Sequence, residues 1–252
     1  MTIALVTGGS RGIGKATALL LAQEGYTVAV NYHQNSAAAT GVVNEIIASG
    51  SKAVALRADV SDEAQVMAMF TAIDRLGEPL AALVNNAGIL FTQGTIESLC
   101  AERINRVLAT NVTGYFLCCR EAVKRMSHKH GGKGGAIVNV SSAASRLGAP
   151  GEYVDYAASK GAVDTLTTGL SLEVAAQGIR VNGVRPGLIY TDMHASGGEP
   201  GRVDRVKSML PMRRGGQPEE VAQAIVWLLS EKACRFLYTL TLPTILPVLW
   251  TS

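Results

Sequence analysis

Thr7-Gly8-Gly9-Ser10-Arg11-Gly12-Ile13-Gly14 decides how this chain is read. It follows an apolar run, Ile3-Ala4-Leu5-Val6, that reads as a buried strand, and it precedes Lys15 to Glu24, which reads as a helix. A glycine-rich turn between strand and helix brings bare backbone up to a diphosphate. Gly8 permits the tight turn, Gly12 lets the backbone approach the phosphates, and Gly14 lets helix and strand pack closely. The helix N-terminus then offers free N–H groups and a positive dipole end to an anion. An ordinary tight turn has the same glycines, so the position between a strand and a helix carries the reading.

Outward from this turn, apolar runs of strand length alternate with helical patterns, which predicts βαβ units and a parallel sheet. Thr27 to Asn31 reads as the second strand, and Ser36 as the cap of a helix over Ala37 to Ser49. Lys52 to Ala58 is the third strand, ending at Asp59-Val60, and Asp62 starts a helix to Leu76. Leu80 to Val84 is the fourth, ending at Asn85-Asn86-Ala87-Gly88, and a long helix follows from Glu102 to Met126. Ala136 to Val140 is the fifth, ending at Ser141-Ser142, and a helix over Tyr156 to Gln177 stops at Gly178. Ile179 to Val184 is the sixth; residues 187 to 216 read as irregular, and Pro218 opens a last helix. The strand ends thus carry Gly8, Asp59, Asn86, Ser142 and Pro186. In an open parallel sheet ligands bind beyond the carboxyl ends of the strands, so these residues converge on one crevice.

Composition narrows the class. A length of 252 residues fits one α/β domain, and 48% apolar residues supply a large core. Aromatics are only 5%, so the core is built from Ala, Val, Leu and Ile. A formal charge of +3 argues against a nucleic-acid partner. Cys100, Cys118, Cys119 and Cys234 show no metal spacing, and reduced thiols in a cytoplasmic protein are expected. His128 and His130 lie in a polar Lys/Gly loop and read as solvated. Residue 3 already belongs to the first strand, which leaves no room for a signal peptide.

Tyr156-Ala157-Ala158-Ser159-Lys160 places a phenol and an ammonium four residues apart, on one face of a helix. A phenol titrates near pH ~10, and a neighbouring fixed cation lowers that value. Tyr156 is then able to exchange a proton near neutrality. A surface Tyr/Lys pair has the same spacing. Ser142, just past a strand, is placed to steady a carbonyl oxygen or simply to form a turn. Asn111, a poor helix former, either links a water to Lys160 or is solvated.

Taken together, Thr7-Gly8-x3-Gly12-x-Gly14, Asn86-Ala87-Gly88, Ser142 and Tyr156-x3-Lys160 resemble the classical short-chain dehydrogenase/reductase family, over residues 1 to 230. Among its members the chain is similar to 3-oxoacyl-carrier-protein reductases and to bacterial sugar or glucose dehydrogenases. The resemblance implies a single-domain Rossmann-type, doubly wound parallel sheet of about seven strands spanning residues 1–252. It implies an oxidoreductase that interconverts a secondary alcohol and a ketone by hydride transfer. Tyr156 is the general acid in reduction and base in oxidation, Lys160 lowers its pKa and holds the nicotinamide ribose, Ser142 orients the substrate, and Asn111 completes a proton relay. Gly8, Ser10, Arg11, Gly12, Ile13 and Gly14 bind the cofactor. Asp59 and Val60 flank its adenine, Asn86, Ala87 and Gly88 line its channel, and Pro186, Gly187 and Thr191 hold the carboxamide end. The alternative is a catalytically silent nucleotide-binding or sensing protein of the same fold, against which the complete Ser142, Tyr156 and Lys160 set speaks. The partners implied are a small-molecule alcohol or ketone and further copies of the chain, as a homotetramer or homodimer, with no membrane.

Cofactor choice rests on the end of the second strand. NAD-specific folds place an acid there for the ribose 2′-hydroxyl. This chain has Val30-Asn31-Tyr32-His33, and Arg11 is a cation in the glycine turn, which favours NADP(H) over NAD(H). The last 19 residues, 234–252, depart from the family pattern after Ala233 and form an atypical tail, such as a shifted reading frame produces. Residues 236 to 242 are expected to supply a seventh edge strand. Residues 243 to 252, with Pro243 and Pro247, are expected to extend past the domain.

Overall fold

The computed structural model describes residues 1–234 and 238–241. The chain begins with β1 (Ile3–Val6), α1 (Gly12–Gln23), β2 (Thr27–Tyr32), α2 (Ser36–Ala48), β3 (Ala53–Arg57), α3 (Glu63–Asp74) and β4 (Leu80–Asn85). It continues through α4 (Ala101–Leu108), α5 (Gly114–Met126), β5 (Gly135–Val140), α6 (Ala144–Leu147), α7 (Val154–Val174) and β6 (Ile179–Arg185). The short helices α8 (Met193–Ser196) and α9 (Arg202–Val206) precede α10 (Pro218–Leu229) and β7 (Tyr238–Thr241).

The strands form one parallel sheet in the order β3-β2-β1-β4-β5-β6-β7. The chain enters at the centre, builds outward through β2 and β3, then crosses back to β4 and builds the other way. The reversal leaves a crevice between β1 and β4 at the carboxyl edge. Side chains alternate across the pleat. Ala4, Val6, Val30 and Val84 pack under α1, α2 and α10, while Ile3, Leu5 and Leu83 pack under α3, α5 and α7. Both faces are covered, so the strands read as unbroken apolar runs instead of alternating ones.

Four local expectations are corrected. The cap of α2 is Asn35, whose side chain accepts from the Ala38 N–H at 2.9 Å, and Ser36 is already helical. The long helix after β4 is two helices joined by a wide π turn, Ala109–Thr113. The extra residue of that turn directs Asn111 inward. Residues 187–216 contain α8, α9 and an Ile189–Gly216 bridge, so the segment is ordered by contacts that its composition does not announce. Finally, Asp62 caps α3 from outside it, accepting from the Gln65 N–H.

The edge-strand expectation for the tail holds on the backbone of β7, which pairs with β6 from Asn182↔Tyr238 to Arg185↔Thr241. The expectation for residues 243–252 lies outside the described residues. No helix among the described residues is long and apolar enough to cross a membrane.

Candidate active site

The glycine turn is fastened from below by side chains of other strands. Thr7 Oγ1 accepts the N–H groups of Asn86 and Ala87 at 2.9 and 3.0 Å. Asn86 Nδ2 donates to the carbonyls of Thr7 and Gly8 at 2.9 and 3.0 Å. Asn31, 2% exposed, accepts from Gly8 N–H and donates to the Leu56 and Ala58 carbonyls. Gly8 and Gly12 have φ of +60° and +50°, where a side chain is strained. At Gly14 a Cβ would lie 2.3 Å from the Gly8 carbonyl oxygen, so the close packing expected of it is real.

Above the turn runs a groove of about 660 Å³. Gly8, Ser10, Arg11, Gly12 and Ile13 of the turn line it together with Asp59, Val60, Asn86, Ala87, Gly88, Thr191 and Met193. Arg11 is exposed at the lip and makes no ion pair among the described residues. The Asp59 carboxylate is occupied: it accepts from the N–H and Oγ of Ser61 and lies 3.5 Å from His33 Nε2. A second cavity of about 300 Å³ adjoins the groove and shares Ile13, Asn86, Thr191 and Met193 with it. Ser142, Tyr156, Lys160, Pro186 and Gly187 line this second cavity. Residues scattered over the whole chain therefore meet at one carboxyl-edge crevice, as their strand-end positions require.

Lys160 lies beneath the cavity floor, 2% exposed. Its Nζ donates to the Val140 carbonyl at 2.7 Å and to Tyr115 Oη at 3.3 Å, and Tyr115 Oη donates to the same carbonyl at 3.0 Å. The Tyr156 ring centroid is 5.6 Å from Nζ. Burial is the largest influence on both groups. Burial pushes the Tyr156 phenol up to about 12, against a weaker downward pull from its hydrogen bond with Ser142. Burial pushes the Lys160 amine down to about 7, partly offset by the Asp164 carboxylate. Taking both groups out of water disfavours both charged forms.

Asn111 is fully buried, so the solvated alternative is excluded. Its Oδ1 accepts from the Ile89 N–H at 2.8 Å; its Nδ2 donates to the Ile89 carbonyl and to Ser159 Oγ. Gly88 packs between it and Lys160, with a Cβ there falling 3.4 Å from Asn111 Oδ1 and 3.7 Å from Lys160 Nζ. Tyr153 is buried and donates to the Gly197 carbonyl, away from Lys160.

Two arrangements escape sequence reasoning. Tyr115 carries no local signal, since its partners Val140 and Lys160 lie on β5 and α7. Asp155, beside Tyr156, is gripped at both carboxylate oxygens by Arg103 at 2.8 and 3.2 Å, and Arg103 also donates to the Thr92 carbonyl. The start of α7 is thereby tied to the loop after β4. Cys118 and Cys119 are buried, and burial pushes both thiols up, so neither suits redox work. His128 and His130 are exposed, as expected, and no metal-binding group occurs among the described residues.

Comparison with known proteins fits this geometry. The family model for short chain dehydrogenase matches residues 2–200. The chain is 82% identical over 233 residues to the "Uncharacterized oxidoreductase YgfF" of Escherichia coli, covering 92% of this chain and 94% of that protein. It is 42% identical over 237 residues to a 3-oxoacyl-(acyl-carrier-protein) reductase of Synechocystis sp., covering 93% and 92%. A crystal structure of a dehydrogenase/reductase from Sinorhizobium meliloti superposes with a TM-score of 0.88 at 32% identity, covering 96% of this chain and 93% of that one.

Proposed function

This chain belongs to the short chain dehydrogenase family, and we propose that it is an NADP(H)-dependent oxidoreductase interconverting a secondary alcohol and a ketone. The observation that supports the reading most is the join between groove and cavity. A dinucleotide-sized groove over a helix N-terminus opens directly onto a small cavity holding Ser142 and Tyr156. The residues fit the cofactor: Gly8 and Gly12 leave no side chain where the diphosphate would lie, and the first turn of α1 presents its N–H groups there. A bound nicotinamide dinucleotide supplies or receives the hydride.

The chain's own residues handle the proton and the orientation. In reduction, Tyr156 holds a proton on Oη and gives it to the carbonyl oxygen; in oxidation it takes that proton back. Ser142, which donates to the phenol before substrate enters, turns its one hydroxyl proton to the same oxygen and fixes the carbonyl's direction. Lys160, held on the Val140 carbonyl, is the group that would hold the nicotinamide ribose, and Asn111 braces the backbone at Ile89. An assay of NADPH consumption over ketones, sugars and acyl thioesters tests the reading, and no turnover with any of them would overturn it.

The cofactor preference has its own test. The end of β2 offers Tyr32 and His33 and no carboxylate, while Arg11 at the lip makes no ion pair among the described residues. A charged hydrogen bond to a 2′-phosphate predicts roughly tenfold tighter NADPH than NADH, lost in Arg11→Ala. Fluorescence titration of both cofactors measures this, and tighter NADH would refute it. A homotetramer or homodimer is proposed from exposed Leu108, Phe116 and Leu172, on α4, α5 and α7. Light scattering giving a mass of only 26.4 kDa would exclude it.

A further inference from the structure

Tyr156 stands in the first turn of α7, which starts at Val154. The first turn is the part of a helix that its own ladder holds least, because its leading N–H groups have no partner inside the helix. The neighbouring residue supplies a hold from the side. Asp155 is a buried carboxylate, its side chain 2% exposed. Arg103 of α4 grips both of its oxygens, Nε donating to Oδ2 at 2.8 Å and Nη2 to Oδ1 at 3.2 Å. The third nitrogen, Nη1, donates to the Thr92 carbonyl at 2.7 Å. The same guanidinium lies 5.8 Å from the Phe91 ring centroid, and that of Arg106 lies 5.1 Å from it. Beside them the Gly94 N–H donates to the Glu152 carbonyl at 3.0 Å. One planar fork therefore joins α4, the loop after β4 and the start of α7.

Each part of this arrangement bears on the site without entering it. Adjacent residues on a helix point about 100° apart, so Asp155 meets Arg103 while Tyr156 lines the cavity. The loop gripped at Thr92 supplies Leu90 to that cavity and Ile89 to the groove. Ile89 has a second, independent brace, because Asn111 holds both its N–H and its carbonyl. Desolvation of two buried charges offsets most of their attraction, so stability alone does not account for the pair, whereas a two-point fork fixes direction. We propose that Arg103 and Asp155 are positioning residues: their fork sets the first turn of α7, and through it the Tyr156 hydroxyl, against the loop that walls the cavity. This rests on Tyr156 being the proton-transfer group. A displacement of about 1 Å at a reacting group costs roughly a hundredfold in rate, so a small release at Asp155 is visible in turnover.

The test uses the full chain at saturating NADPH with ethyl acetoacetate, or, if that ester is not turned over, the best ketone of the NADPH-consumption screen. Arg103→Ala strands a buried carboxylate and risks unfolding, so the informative variants are Asp155→Asn and Arg103→Lys, which keep a polar partner on each side. In both, kcat is expected to fall roughly ten- to a hundredfold while KM and NADPH affinity stay within about threefold. Adding Asp155→Asn to Tyr156→Phe costs less than about threefold more, because the group being positioned is already gone. A pair that serves stability alone lowers the melting temperature and leaves kcat, measured well below it, unchanged; that result overturns the proposal, and so does full multiplication of the two losses. The failures separate. Tyr156→Phe inactive with Asp155→Asn at wild-type kcat removes this proposal alone. Tyr156→Phe near the wild-type rate, or no turnover of any ketone by the wild type, removes the proton-transfer reading and this proposal together.

Discussion

Tyr156→Phe is expected to cut turnover by roughly 10²–10⁴-fold while fold and cofactor affinity stay in place. The substitution keeps the ring that packs against Lys160 and removes only the oxygen paired with Ser142. The elevated pKa of about 12 adds a directional signature. The phenol is fully protonated at neutral pH, which is the form a carbonyl reduction needs. Alcohol oxidation needs the phenolate, so its rate should climb with pH through the alkaline range while the reduction rate stays level until the phenol titrates. Steady-state rates in both directions from pH 6 to 10 measure this. A variant retaining near wild-type rate with any good substrate would place the proton transfer elsewhere.

Lys160→Met is the second large effect, and it separates catalysis from stability. One amine donates to the Val140 carbonyl beneath the site and is proposed to hold the nicotinamide ribose, so its loss should lower activity at least a hundredfold and weaken cofactor binding together. Stability should move the other way. In the folded chain the amine titrates at about 7, against 10.5 unfolded. Between those values the unfolded state binds more protons, so stability rises with pH, by up to ~1.4 kcal/mol per unit. Below pH 7 both states are protonated and this contribution is flat. Above about 9 the trend turns, because the buried Cys118, Cys119 and Tyr156 hold protons that the unfolded chain releases. Chemical denaturation of the wild type without cofactor should therefore show a rising limb from pH 7 to 9. Lys160→Met should lack that limb and be no less stable at pH 7, since a buried apolar side chain of similar volume replaces a costly amine. A wild-type profile flat over that range would show that Lys160 is solvated in solution.

Short-range patterns determined most of the architecture. An apolar run of four to seven residues cannot be left in water, and a glycine pair can turn where no other residue turns, so β1, the turn and α1 follow from adjacent residues alone. The same holds for Tyr156 and Lys160 sharing a face of α7, because 3.6 residues per turn fixes it. Parallel strand order then brought Asp59, Asn86, Ser142 and Pro186 to one edge. What the tertiary structure alone decided is how each group behaves there. Lys160 is a buried amine, pushed down from its ordinary range by loss of water, because Val140 and Tyr115 meet it from other elements. Asn111 is a buried brace because a π turn rotates it toward Ile89 and Ser159. Asn31, readable only as a missing acid, is a tie between three strands. Arg202 pairs with Glu152 and stacks on Tyr153 only because the fold brings α9 against the segment before α7. Secondary structure is a near-neighbour property, whereas desolvation and hydrogen-bond satisfaction depend on which distant groups close the space around an atom.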